Sequence, residues 1–131
     1  MDRPIFLSVD NVLYMHSDSM RTEGGCDGVR DLALLESAVM MPQQQFGGEY
    51  LHHGLAAMAA AYLYHIACNH PFVDGNKRTS AMAAFVFLDA NGQDLTATEA
   101  ELEALVLEVA SGAISKDDLI RWFAEHCCPR A

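Results

Sequence analysis

The chain has 131 residues, 51% of them hydrophobic and 20% charged, with four prolines; one hydrophobic core commonly closes at this length, so a single domain over 1–131 is expected and disordered or collagen-like classes are excluded. Eight Lys and Arg against 18 Asp and Glu give a formal charge of −10. That surface repels a polyanion, so direct nucleic-acid binding is not expected.

Helical spacing dominates the chain and strand alternation is almost absent. The opening Met1-Asp2-Arg3-Pro4 lacks the basic cap and apolar run of a signal peptide. Ser8 can cap a first helix whose apolar side carries Val9, Val12, Leu13, His16 and Met20, so His16 is expected to point inward. A second helix starts at Asp31, places Leu35, Ala38 and Val39 on one face, and ends before Pro42.

The stretch Pro42 to His53, P-Q-Q-Q-F-G-G-E-Y-L-H-H, carries Gly47-Gly48, which could turn a small hairpin. Its local sequence alone fits an irregular surface loop better. The alanine-rich run from Gly54 to Asn69 is a third helix with Leu55, Met58, Tyr62 and Ile66 on one face and few polar residues anywhere, hence central and surrounded. A fourth runs from Asn76 to about Ala90 with Met82, Phe85 and Leu88, and Asn91-Gly92 terminates it. Thr98 and Glu101 form a T-x-x-E capping box ahead of Leu102, Leu105, Val106 and Val109, with Gly112 as the stop. Ser115 caps a last helix through Leu119, Ile120 and Phe123. The expected fold is an all-α six-helix bundle.

The most apolar stretches, Gly54 to Cys68 and Ala81 to Leu88, are shorter than the about 20 residues that cross a bilayer. No membrane association is expected, and the chain reads as soluble and cytoplasmic. Cys26, Cys68, Cys127 and Cys128 contain no C-x-x-C pair, so neither a zinc site nor a disulfide framework is indicated. Buried thiols and a frayed tail are expected instead. His16 and His65 read as packed polar groups on helices, and His52-His53 as a loop feature.

Local rules break between the third and fourth helices, at His70-Pro71-Phe72-Val73-Asp74-Gly75-Asn76-Lys77-Arg78-Thr79. With Asn76 as N-cap, Lys77 and Arg78 crowd cations onto the positive end of a helix dipole, where Asp or Glu would be favoured. A bound anion resolves the conflict, since free amides, a glycine that permits close approach and two cations make a phosphate cradle. Histidine is the residue type suited to taking a hydroxyl proton at physiological pH, which makes His70 a candidate base; Asp74 is a hard ligand for magnesium. Singly, each has a plainer reading: a structural histidine, an Asp-Gly turn, solvated charges. Neighbouring motifs fail on spacing, for a P-loop lacks both its glycines and a calcium loop would have Arg78 as ligand. There is also no G-x-S-x-G elbow and no H-E-x-x-H helix.

The string H-P-F-V-D-G-N-K-R at 70–78 resembles the signature of the Fic/Doc superfamily, whose Fic branch carries H-x-F-x-D/E-G-N-G-R-x-x-R. Arg30-Asp31, Leu34-Leu35-Glu36-Ser37-Ala38 and Pro42 to Gly48 resemble the segments upstream of that signature in the death-on-curing (Doc) branch, so about the first 92 residues take part. Lys77 replaces a Fic glycine and Ala81 the second Fic arginine, both as in Doc, whereas Gly75 is Fic-like where Doc has alanine.

The resemblance implies a compact Fic/Doc-type bundle with a flap, and a toxin that moves the γ-phosphate of ATP onto a Ser or Thr hydroxyl of a translation factor, elongation factor Tu being the family expectation. His70 would be the base and Asp74 the magnesium ligand; Phe72, Asp74, Gly75, Asn76, Lys77 and Arg78 would seat the nucleotide, with Asn76, Lys77 and Arg78 also acting in transfer. Phe46, Gly47, Gly48, Glu49, Tyr50 and Leu51 would form a flap that aligns a target peptide by strand addition. A small antitoxin helix would pack beside the nucleotide. The alternatives are adenylyl transfer, for which Gly75 speaks, and a catalytically silent nucleotide-binding module. Ser19-Met20-Arg21-Thr22-Glu23-Gly24 fits the S/T-x-x-x-E-G/N string of self-inhibiting Fic proteins. Helix termination at Glu23-Gly24-Gly25 is a sufficient explanation of it.

Overall fold

Six α-helices form in the order expected, in a computed structural model that describes residues 3–130. Met1 and Asp2, part of the reading of the chain's start, lie outside the described residues, as does Ala131. α1 spans Val9–Glu23, α2 Leu32–Met40, α3 Leu55–Asn69, α4 Asn76–Ala90, α5 Glu99–Ala110 and α6 Lys116–His126. Ser8 and Thr98 each close a reciprocal capping box, with Asn11 and Glu101, and Asp31 and Ser115 cap α2 and α6 through their side chains.

α3 is the axis of the bundle. Ala57, Ala59, Ala60, Ala61, Leu63 and Ala67 are buried, because α2, α4 and α6 pack around it and methyl-sized side chains let their backbones approach. Tyr62, fully buried, stacks obliquely on Phe87 of α4 at 5.1 Å, and its hydroxyl accepts from the Leu7 amide at 2.9 Å. That burial pushes its phenol up to about 12. The face expected for α4 is shifted: Ala83, Ala84, Phe87 and Leu88 are buried, while Phe85 is 49% exposed. Spacing alone could not separate these two phenylalanines, because α5 covers only part of the outer side of α4.

Two short antiparallel ribbons depart from the all-helical reading. β1 (Gln45–Phe46) pairs with β2 (Glu49–Tyr50) across Gly47 and Gly48, whose φ values of 62° and 83° make the tight turn that glycine permits. The family resemblance, not the local pattern, favours this hairpin over an irregular loop. β3 (Gln93–Leu95) pairs with β4 (Cys127–Pro129), so the tail is a paired strand rather than frayed. Buried thiols are also overturned, for Cys26, Cys68 and Cys128 are exposed and Cys127 is half-buried. No helix among the described residues is long and apolar enough to cross a membrane.

The hairpin is anchored at its base and free at its tip. Tyr50 packs edge-on against Phe6 at 5.6 Å, and Phe6 stacks on Phe87 at 6.0 Å. His52, just beyond β2, is buried; its Nε2 lies 2.8 Å from Lys116 Nζ, which is 2.9 Å from His65 Nε2. The loop histidine and the packed helical histidine therefore meet at one ammonium on α6.

Candidate active site

The segment 70–78 joins the end of α3 to the start of α4, and its backbone is fixed from both sides. His70 closes α3 in the left-handed region (φ 47°, ψ 54°), the one non-glycine residue with positive φ among the described residues. Its side chain is exposed. Phe72, buried, makes an isolated antiparallel bridge with Val29, and Val73 donates to Gly28 O at 3.1 Å. His16, 1% exposed, stacks on the Phe72 ring at 3.7 Å and 5°, and its Nε2 stands 2.7 Å from the Asp74 carbonyl oxygen. The acceptor requires the proton on Nε2. His16 Nδ1 faces Asp27 Oδ1 at 3.5 Å, and Ser17 Oγ holds the other oxygen of Asp27 at 2.8 Å.

The N-cap of α4 is Gly75, at φ 78°, and not Asn76. Asn76 is the first helical residue, and its amide grips the Phe72 backbone instead, accepting from its N–H at 2.9 Å and donating to its carbonyl at 3.0 Å. This side chain thus shapes the loop, a role the N-cap pattern obscures. α4 begins without a side-chain cap, unlike α1, α2, α5 and α6. Its first amides have no acceptor within the helix, the arrangement that can receive an anion. The φ of Gly75 favours glycine, and a Cβ there would meet the flexible end of Met20 at Cε and lie 3.6 Å from His16 Cδ2.

The two cations are not equivalent. Arg78 Nε lies 3.4 Å from Glu23 Oε2, and its Nη1 donates to Ser19 Oγ at 3.3 Å and to Gly24 O at 3.2 Å. Ser19 Oγ in turn donates to Glu23 at 3.1 Å. Arg78 therefore has an anionic neighbour inside the chain, contrary to the expectation that both cations lack one; Lys77 is exposed and has no ion-pair partner among the described residues. Gly24 does terminate α1, its N–H bonding Met20 O. The carboxylate one residue before that stop also reaches Arg78.

Asp74 is exposed, and amides of Cys26 (3.2 Å) and Gly75 (2.8 Å) each donate to one of its oxygens. These bonds, with smaller help from Arg78 and His16, hold its carboxyl below the usual range and keep it ionised. Each oxygen keeps a second lone pair, so Asp74 fits a magnesium ion. Among the described residues no group of three or more His, Cys, Asp or Glu side chains could hold a metal ion, so magnesium at Asp74 would need phosphate oxygens or water as its further ligands.

Beside the α4 N-terminus, a cleft of about 590 Å³ runs between α4 and α5, from Glu23, Lys77 and Arg78 over Met82 and Phe85 to Leu107. Glu99 and Glu103 stand on its rim. Sequence reading missed this cleft because it arises where two helices diverge. It also missed Arg30, which donates from Nε to His70 O at 2.7 Å and from Nη2 to Asn69 O at 2.9 Å. The signal available was only its place in a resembling segment.

The Fic/DOC family profile matches residues 6–88. The chain is 47% identical over 74 residues to a protein of Mycolicibacterium smegmatis named Toxin Doc, covering 56% of this chain and 57% of that relative. It is 30% identical over 109 residues to Protein kinase doc of Escherichia phage P1, covering 83% of this chain and 85% of the phage protein. The chain thus spans little more than half of the mycobacterial relative.

Proposed function

This chain belongs to the Fic/DOC family, and from that premise we propose that it is a Doc-type toxin that transfers the γ-phosphate of ATP to a Ser or Thr hydroxyl of a translation factor, for which elongation factor Tu is the family expectation. The observation that carries this reading is the uncapped start of α4, with Lys77 free of any ion-pair partner among the described residues, set directly after the exposed His70. Lys77 and the first amides of α4 bind phosphate oxygens and stabilise the charge that spreads over them during transfer. Arg78 joins them when it turns from Glu23. His70 accepts the hydroxyl proton as the new O–P bond forms and the bond from the γ-phosphorus to the β,γ-bridging oxygen breaks, with ADP as the leaving group. Asp74 would hold magnesium, which supplies charge neutralisation at the phosphates.

The names of the relatives support this direction, since one is called a toxin and the other a protein kinase. Replacement of the Fic glycine by Lys77 and of the second Fic arginine by Ala81 supports γ-phosphate rather than AMP transfer. Gly75, the Fic-like residue, carries less weight for adenylylation, because its positive φ favours a glycine on backbone grounds alone. The hairpin 45–50, with Phe46 81% exposed at its tip and open strand edges, suits alignment of an extended target segment. The cleft between α4 and α5 suits an amphipathic helix of a small antitoxin: apolar side chains against Met82, Phe85 and Leu107, basic ones toward Glu99 and Glu103.

The test is to incubate the chain with bacterial lysate and ATP labelled at either the γ or the α position. Label arriving on a protein from the γ position, and lost in His70→Ala, is expected. Label from the α position makes it an adenylyl transferase, and ATP binding without any label makes it a silent module.

A further inference from the structure

At the end of α3 three consecutive carbonyls, those of Asn69, His70 and Pro71, all turn toward Arg30. Its Nη2 donates to Asn69 O at 2.9 Å and its Nε to His70 O at 2.7 Å, while its backbone N–H donates to Pro71 O at 2.7 Å. Asp31 adds its own N–H to Pro71 O at 3.0 Å, and Asn69 Nδ2 returns a bond to Leu34 O at 3.1 Å.

The need for such a clamp follows from the sequence. A helix that ends in the left-handed region usually places glycine there, and the amides of that residue and of the next one close back onto its last carbonyls. Here the left-handed residue is His70, where a Cβ is unfavourable, and the next is Pro71, which has no N–H to give. The closing bond from the residue after the left-handed one is therefore chemically unavailable, and none from the His70 N–H forms among the described residues. A planar guanidinium, with two parallel donors, takes its place.

We infer that Arg30 is a positioning residue for His70, fixing the backbone from which the base projects; the inference rests on the reading of His70 as the proton acceptor. No hydrogen bond reaches the His70 imidazole from any described residue. The point from which that ring projects is therefore set by its backbone, which Arg30 braces in a disfavoured conformation. Lysine cannot substitute, because one ammonium does not reproduce the fork. A ring displaced by about 1 Å costs on the order of 100-fold in rate.

The experiment compares the natural chain, Arg30→Lys and Arg30→Ala by two readouts: transfer of γ-label from ATP to lysate protein, and the ring resonances of His70 in the nucleotide-free chain, assigned with His70→Ala. Arg30→Lys is expected to lower kcat by roughly 10- to 100-fold with KM for ATP changed less than about twofold, and to shift the His70 ring signals. Millimolar guanidinium should restore part of the rate to Arg30→Ala. If Arg30→Ala does not fold, as circular dichroism would reveal, Arg30→Lys decides. An unchanged rate in Arg30→Lys, or a raised KM with kcat intact, overturns the inference. Should His70→Ala keep full transfer, the reading of the base fails, while the ring shift still judges the clamp; if the natural chain transfers no label, an unmoved ring signal overturns the inference by itself.

Discussion

Glu23 Oε2 lies 3.4 Å from Arg78 Nε, so the arginine of the signature is held by the end of α1 before any ligand arrives. Both side chains are partly exposed, and such a pair is worth about 0.2–1 kcal/mol. Glu23→Ala should therefore tighten ATP binding by about 1.4-fold to fivefold, the corresponding factor. Titration calorimetry of the two chains at moderate salt measures it. Weaker binding by the variant would mean that Glu23 orients Arg78 for the nucleotide instead of competing with it.

His16 is the second tie between α1 and the signature, through the Asp74 carbonyl and the Phe72 ring. His16→Ala removes a buried hydrogen bond and opens a cavity, and the expected loss is about 2–4 kcal/mol. Urea unfolding should show the midpoint falling at constant slope. His16→Gln, whose amide can still donate to that carbonyl, should recover part of the loss; no difference between the variants would remove the hydrogen bond from the account.

Gly75 and Met20 are coupled by contact. Gly75→Ala places a Cβ at positive φ, costing about 1 kcal/mol, and also strikes Met20. The second cost should vanish in the Met20→Ala background. A double-mutant cycle on thermal melts is expected to give a coupling energy of about 1 kcal/mol or more. Strict additivity would show that Met20 yields freely.

Stability should fall with acid through His52, His65 and Lys116. Burial first, then the Lys116 ammonium and His52, holds His65 at about 4, and burial with Lys116 and His53 lowers His52 as well. The unfolded chain takes up protons near the ordinary 6.5 that the folded chain refuses, so this stability is full above about pH 6.5 and is lost as pH falls toward 4. Melting temperature should drop across that window, and much less in a His52→Gln, His65→Gln chain. Equal slopes in the two chains would assign the acid limb to other groups. Asp27, Asp74 and Glu101, held low mainly by hydrogen bonds, act in a separate window below their ordinary values of 3.8 and 4.5.

The helices were legible because their ends are written locally: Ser8, Asp31, Thr98 and Ser115 all cap where their side chains suggest. The ribbon of β3 and β4 was not, since its register pairs Leu95 with Cys127, far apart in the chain and short enough to show no alternation. In the site, the conflict of charges at Lys77 and Arg78 was visible, but its partial resolution by Glu23 was not; that carboxylate reads as a helix end until tertiary packing brings α1 against α4. Asn76 was assigned a cap because the residue type favours one. The loop geometry set by Gly75 gave that place to the glycine and turned the amide toward Phe72. Arg30 could not be found from spacing, because its meaning depends on Pro71, far along the chain.

Asn91 pairs through its side chain with both the N–H and the carbonyl of Ile5, and Arg130 N donates to Gly92 O at 2.8 Å. Both extremities of the described chain are thus moored at one pole of α4, whose 15 residues put roughly 20 Å between them and the signature at the opposite pole. A short bridge of a few flexible residues could join these extremities, and a circularly permuted version opened at Gly112 should retain the same signature geometry.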